Sequence, residues 1–417
     1  MKMFKLLGLF AALVFVSNSA FAGEIDLLVQ KLVEKGILSP GEAQQVITET
    51  KEEIKKEVAQ AKSESLPQWI QTMKLKGDFR LRYQRDHSIA STTQDQNRAR
   101  IRARLGLESK VNDKLKVDVG IATGTTSDPR STNITLGSSS SKKSIILDYA
   151  YAQYTPFSWG TFLGGKFHNP LWEPGDLIWD TDITPEGGAA KLSYNLSPNT
   201  ELFANTGVFV LGESSGDAAD PTMYVVQTGL NQKIMDNISL KGSFSYYGTS
   251  GLKGKTLTGT SSTNSTTGGK LKYEYLNITP ALELGINEPF KNLGINLPYL
   301  ALFGEYVNNI ANDVTENTGY MLGLKGGAKK LGKWGDWNFK YNFAMLEKDA
   351  ILDILPDSDR YGGKTGMRSH EFEFNWGLGK NTWLGIDTYY GWQLPGNFSQ
   401  TQTKPKTVLQ VDWNLKF

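Results

Sequence analysis

The last ten residues of the chain, Val408 to Phe417, alternate strictly between apolar and polar side chains. Leu409, Val411, Trp413, Leu415 and Phe417 share one face of an extended strand, and Gln410, Asp412, Asn414 and Lys416 share the other, because successive side chains of a strand point to opposite sides. The same period of two returns along most of the chain. If the apolar face meets lipid, only a closed sheet satisfies the backbone, since an open edge has no hydrogen-bond partner in hydrocarbon. The expected fold is therefore all-β: a transmembrane antiparallel barrel with a greasy outside and a wet inside, ending on an aromatic residue.

The amino terminus explains how such a chain would reach a membrane. Residues 1–22 read as a signal peptide: Lys2 and Lys5 give a positive start, Leu6 to Val16 is an apolar run, and Ala20-Phe21-Ala22 is a small-x-small cleavage site. The run is too short for a spanning helix, which needs about 20 apolar residues. With Lys2 and Lys5 removed, the formal charge of +2 falls to near neutral, so nothing in the balance calls for a nucleic-acid partner. The chain has no cysteine, and an exported protein without disulfides must gain its stability from size or from a closed sheet.

Residues 23–67 differ from the rest. Ile25, Leu28, Leu32 and Val33 form one helical stripe, and Gly36 offers a stop. Ser39-Pro40-Gly41-Glu42 has the spacing of a capping box, and Val46, Ile47, Thr50, Ile54, Val58 and Ala61 line one side of the helix that follows. So narrow a stripe needs a partner helix. The expectation is a periplasmic helical hairpin running into a self-associating coiled coil, with Ser63 to Pro67 as linker; a solvated linker helix is the plainer alternative.

From residue 68 onward the barrel is expected. The first strand is Met73 to Gln84 and the second Arg98 to Glu108. Further strands begin near Lys114, Ser144, Thr161, Ala189, Glu201, Thr222, Ile238, Leu271, Tyr299, Gly319, Trp337, Glu371, Trp383 and Thr407, which makes about sixteen. Short connections such as Met235-Asp236-Asn237 would face the periplasm. Long polar ones, Thr249 to Gly269 and Lys348 to Ser369, would face outside. Trp337, Phe339, Tyr341, Phe343, Phe372, Phe374 and Trp376 suit a lipid-facing aromatic belt, with Asn338, Lys340 and Asn342 in the lumen register.

Two constellations stand out. Arg98, Arg100, Arg102 and Arg104 occupy alternate positions of one strand, and Arg80 and Arg82 lie on its neighbour. Arginine on the lipid face costs about 2–4 kcal/mol at mid-membrane, so these six should face the lumen as a basic wall. Such a ladder repels itself unless water, carboxylates or visiting anions balance it. A soluble basic sheet that binds nucleic acid is the alternative that the signal peptide disfavours. The second constellation is the connection after the fifth strand, Gly165 to Gly187. It carries Glu173, Asp176, Asp180, Asp182 and Glu186 among Leu171, Trp172, Leu177, Ile178 and Trp179. Its apolar residues need something to pack against, so it is expected to fold inward as a constriction loop. Acid opposite arginine would set a transverse field across the channel.

The stretches Gly165-Lys166-Phe167-His168-Asn169-Pro170 and Leu177 to Gly187, with Phe79 to Tyr83 and Arg98 to Leu107, resemble the "putative porin" family of Gram-negative bacteria over nearly the whole mature chain. The resemblance implies a sixteen-stranded barrel in the outer membrane, in contact with its lipid and lipopolysaccharide, that passes small hydrophilic solutes. The broader sixteen-stranded porins are trimeric, so a homotrimer is expected, and no cofactor is expected.

Other readings compete. The loop carboxylates could bind calcium, although their spacing is not that of a twelve-residue calcium loop. Catalysis has little to work with: His87, His168 and His370 are scattered, none pairs visibly with a nucleophile, and a zinc site is equally poorly served. A barrel whose helical segment tethers the membrane to the cell wall, or to neighbouring subunits, is the alternative function.

Overall fold

A computed structural model describes residues 29–65, 68–88, 94–213, 220–259, 261–395 and 405–417. The signal peptide lies outside the described residues. The chain divides into two compact units, residues 1–72 and 73–417.

The first unit is helical. Residues 29–34 form a helix that stops at Gly36, whose φ of 68° suits glycine. Helix α1, Pro40–Ser65, follows. Ser39 caps it: the Glu42 amide donates to Ser39 Oγ at 3.3 Å, and the Ser39 amide donates back to Glu42 Oε2 at 2.9 Å, the reciprocal bonds of a capping box. The helix continues through Ser63, where the sequence suggested a linker. It ends two residues before Pro67, whose ring disfavours helical geometry in the residue before it. A single turn, α2 (Gln68–Gln71), completes the unit.

The second unit is one antiparallel sheet of sixteen wall strands: β1 (Lys74–Ser88), β2 (Gln96–Asn112), β3 (Leu115–Thr123), β4 (Ile145–Phe157), β5 (Gly160–Lys166), β6 (Glu186–Ser197), β7 (Thr200–Val210) and β8 (Thr222–Met235), then β9 (Ile238–Ser250), β10 (Leu276–Asn287), β11 (Tyr299–Asn309), β12 (Thr318–Gly327), β13 (Trp337–Leu346), β14 (Met367–Gly379), β15 (Thr382–Gln393) and β16 (Lys406–Lys416). Each pairs with the next, and β16 pairs with β1, so the sheet closes. Where β3 ends, the segment Ile134–Thr135 continues the pairing with β2. Three strands begin three or more residues from the expected places: β10 five residues later, β14 four residues earlier and β6 three residues earlier. Hydrophobicity alone does not locate a strand end.

The expected two faces are present. Leu81, Leu105, Leu302, Leu322, Phe372, Trp376, Ile386, Val411 and Trp413 are exposed on the outside, while Arg82, Gln84, Glu305, Asn342, Glu371, Gln410 and Asp412 are buried. The interior is not wet throughout, however. Phe209, Met223, Val225, Tyr247, Phe303, Val307, Met321 and Leu346, on β7–β9 and β11–β13, are buried in one apolar cluster with loop residues. Leu177, Ile178 and Trp179 come from the connection after β5, Leu252 and Tyr275 from the one after β9, and Ile351, Leu352 and Leu355 from the one after β13. Those last two connections, read from sequence as external, therefore fold into the barrel. Burial of their apolar side chains, worth about 25 cal/mol per Å² removed from water, holds them there.

Candidate functional site

The inward loop after β5 is framed by a glycine pair. Gly165 and Gly187 face each other across β5 and β6, with φ of 124° and 144°. A Cβ on either would run into a neighbouring backbone carbonyl, of Ala150 or Val208, so only glycine lets the chain leave and rejoin the wall here. The loop is then fastened at several points. The Trp172 amide donates to Gln227 Oε1 at 2.8 Å, and Gln227 Nε2 donates to the Trp172 carbonyl at 2.9 Å. The Gly175 amide donates to Glu305 of the wall. The Asp180 amide donates to the Leu355 carbonyl at 2.7 Å, and Asp180 Oδ2 accepts the Ser358 amide at 2.8 Å. The two inward loops after β5 and β13 are thus bonded to each other.

All six arginines named from sequence project into the barrel, and most are paired by the wall itself. Arg82 stands opposite Asp412 and also reaches Asp359 at 3.1 Å. Arg102 and Arg104 donate to Asp78 at 3.0 and 2.8 Å. Arg98 pairs with Asp86. Arg100 donates to Gln84 at 2.8 Å, and Arg80 to Asn414 at 3.0 Å. The partners Asp78, Asp86 and Asp412 are polar positions of the same alternating strands, but their pairing depends on a strand register that the sequence does not print.

The five loop carboxylates do not act together against this wall, as the sequence reading expected. Asp182 alone reaches it, at 3.1 Å from Arg104 and 3.8 Å from Arg102. Burial opposes its ionisation, but Arg102, Arg104 and Arg80 outweigh that and hold its pKa below the ordinary value. Asp176 instead meets Arg360 at 2.8 Å and Lys340 at 3.4 Å. Burial is again overcome, and its pKa falls to about 2. Glu173 accepts from Tyr247 Oη at 3.0 Å inside the apolar cluster; burial and the neighbouring Glu305 push its pKa well up. Burial and Asp357 push Asp180 up in the same way. Glu186 begins β6, pairs with Lys166 at 3.0 Å and is largely exposed. The reason for the split is that the loop winds between two walls and presents successive carboxylates to different neighbours.

A cavity of about 620 Å³ is lined by Arg80, Arg82 and Arg102, by Asp176, Asp357, Glu371 and Asp387, and by Asp412 and Lys340 beside them. The residues missed from sequence are Asp357, Asp359 and Arg360 of the loop after β13, with Glu371. Arg360 is buried, bound to Ser369, Asp176 and Glu371. The signal was present: Ile351, Leu352, Ile354 and Leu355 precede the charged run, and such a density of apolar residues does not suit a solvated tip.

Among the described residues no group of three or more Asp, Glu or His side chains converges to hold a metal ion. His168 lies against the rings of Tyr149 and Tyr151. His370 meets Tyr341 Oη at 2.8 Å and stacks on Trp392, and His87 pairs with Asp95. The three histidines sit on three different elements.

A family model described as "Putative porin" matches residues 87–279 and 260–417. Among solved structures, OprB of Pseudomonas putida, at high pH, is similar with a TM-score of 0.55 and 11% identity, over 84% of this chain and 95% of that one. The trimer form of OmpT of Vibrio cholerae gives a TM-score of 0.46 and 9% identity, over 83% of this chain and all of that one. No curated protein matches the chain.

Proposed function

This chain belongs to the "Putative porin" family, and we propose that it is a water-filled channel through which small hydrophilic solutes and ions cross the outer membrane by diffusion. The observation that carries the reading is the cavity inside a closed barrel, lined by arginines of β1 and β2 and by carboxylates of two inward loops, β14, β15 and β16. An apolar cluster fills the barrel beside β7–β13, so solutes would pass along the charged sector, where opposed charges order water and sort solutes by charge. Arg80, Arg82, Arg98, Arg100, Arg102 and Arg104 form the basic wall in this reading. The acidic groups come from Asp176 and Asp182 of the loop after β5 with Asp359 of the loop after β13, rather than from all five carboxylates of one loop. The helical unit lies in the periplasm, and the barrel assembles as a homotrimer.

Single-channel conductance of the purified protein in a planar bilayer tests the reading. Discrete ohmic steps in potassium chloride are expected. Insertion of folded barrels without conductance would sink it and leave the tethering alternative.

A further inference from the structure

Acids and lysines are segregated along the cavity. Its carboxylates sit on the inward loops and in the middle of the wall, where cations already meet them. Arg82 holds Asp412 and Asp359, Arg360 holds Asp176 and Glu371, and Lys340 spans Asp176, Glu371 and Glu373. Asp387 lies directly opposite Glu373. Beyond these groups, on the side away from the inward loops, the lining changes. On β16 the inward order is Asp412, Asn414, Lys416, and on β14 it is Glu373, Asn375. Before β13, Lys329 and Lys330 precede Asn338. Three lysines and three asparagines thus line this end, with no carboxylate among the described residues there.

The lysines are open to water, since Lys329, Lys330 and Lys416 are all exposed. Among the described residues none of the three has a carboxylate in contact. Lys416 lies directly opposite Asp78, but Arg102 and Arg104 take the two Asp78 oxygens at 3.0 and 2.8 Å. The Lys416 ammonium rests instead 5.4 Å from the centre of the Trp383 ring. The Lys329 ammonium rests 4.1 Å from the centre of the Tyr299 ring. Glu283, which accepts from the Tyr299 hydroxyl at 2.9 Å, is held by Lys325 at 2.7 Å. An aromatic face positions an ammonium group without cancelling its charge.

This end is the one at which β2 and β3, β6 and β7, and β14 and β15 are joined by turns of two residues, and short turns face the periplasm in an outer-membrane barrel. A solute at that mouth meets uncancelled positive charge before it meets any acid. A neutral solute gains nothing there and a cation is repelled, whereas an anion gains from each lysine in proportion to its own charge. We propose that the periplasmic end of the cavity is a vestibule that selects small anions, dianions such as phosphate above monoanions. The proposal rests on the reading of the barrel as an open channel and adds the class of solute it favours.

Planar-bilayer recordings test it with chloride and inorganic phosphate. In a gradient of potassium chloride the reversal potential should show a preference for chloride, and phosphate added to one face should reduce the chloride current more than phosphate added to the other. Lys329→Gln and Lys416→Gln should each lower the chloride-to-potassium permeability ratio about fivefold, the factor that one unit charge at about 4 Å in water supplies. Each should also weaken the phosphate block, with folding checked by heat-modifiable gel mobility. Lys333→Gln, in the same connection as Lys329 but outside the cavity lining, should change neither. A wild type that prefers potassium overturns the proposal, as does a phosphate block equal from both faces. So do selectivity and block unchanged in a folded Lys329 or Lys416 variant. A wild type without conductance overturns the channel reading itself, a separate result.

Discussion

Arg82 of the first wall strand and Asp412 of the last stand directly opposite each other and share two hydrogen bonds, from Nε and Nη2, each 2.8 Å long. The pair is charge-assisted and bidentate, and it sits on the seam that closes the barrel. Removing one partner of a buried pair costs about 3 kcal/mol, since the other charge is left behind. Asp412→Ala should therefore lower the temperature of the heat-induced gel shift, while Asp412→Asn should lower it less. Unchanged mobility in Asp412→Ala would show that Asp359 alone satisfies Arg82.

The arginine ladder makes a claim about ion selectivity. Replacing Arg100 and Arg102 by Ser removes two positive charges from the wall. A unit charge acts on an ion at about 4 Å in water with about 1 kcal/mol, near fivefold in permeability ratio. The reversal potential in a salt gradient should move toward cations by a corresponding amount. If it stays where it was, both residues are remote from the ion path.

Asp357 gives a dependence on pH. Burial and neighbouring carboxylates raise its pKa to about 8, so the folded protein keeps a proton there that the unfolded chain has already released. Its contribution to stability is complete below the ordinary carboxyl pKa and is lost as pH rises through about 8. Over the same rise the cavity gains a negative charge. Cation preference measured by reversal potential should increase between pH 7 and pH 9, and Asp357→Asn should flatten that rise.

Gly187 tests how the inward loop is anchored. Its φ of 144° and the close approach of the Val208 carbonyl exclude a side chain. Gly187→Ala must shift the loop base, and strain of this kind costs about 1–3 kcal/mol. Single-channel conductance should become noisier or change in size, whereas Gly254→Ala, with open space around its Cβ position but the same kind of φ, should affect only its own connection.

Deleting residues 24–62 separates the two roles weighed for this protein. Conductance should be unchanged, because every group around the cavity belongs to the second unit. Lost envelope attachment in cells carrying the deletion would assign tethering to the helical segment. A lost channel would show that the segment contributes to the barrel.

Period-two alternation, a residue-level property, made the barrel and its outward face legible: the Val408–Phe417 pattern and the arginines at every second position required a sheet with lipid on one side. The same holds for the Ser39–Glu42 cap, whose partners are three residues apart, and for the inward loop after β5, whose tryptophans could not remain in water. What the tertiary structure alone decided are relations between residues hundreds of positions apart. Asp412 answers Arg82 only once the barrel closes, and Asp176 turns to Arg360 instead of the arginine ladder only because a second loop fills the interior. Local chemistry dictates which way a side chain points; which charge it meets depends on register and on long-range packing, and no stretch of sequence carries that information by itself.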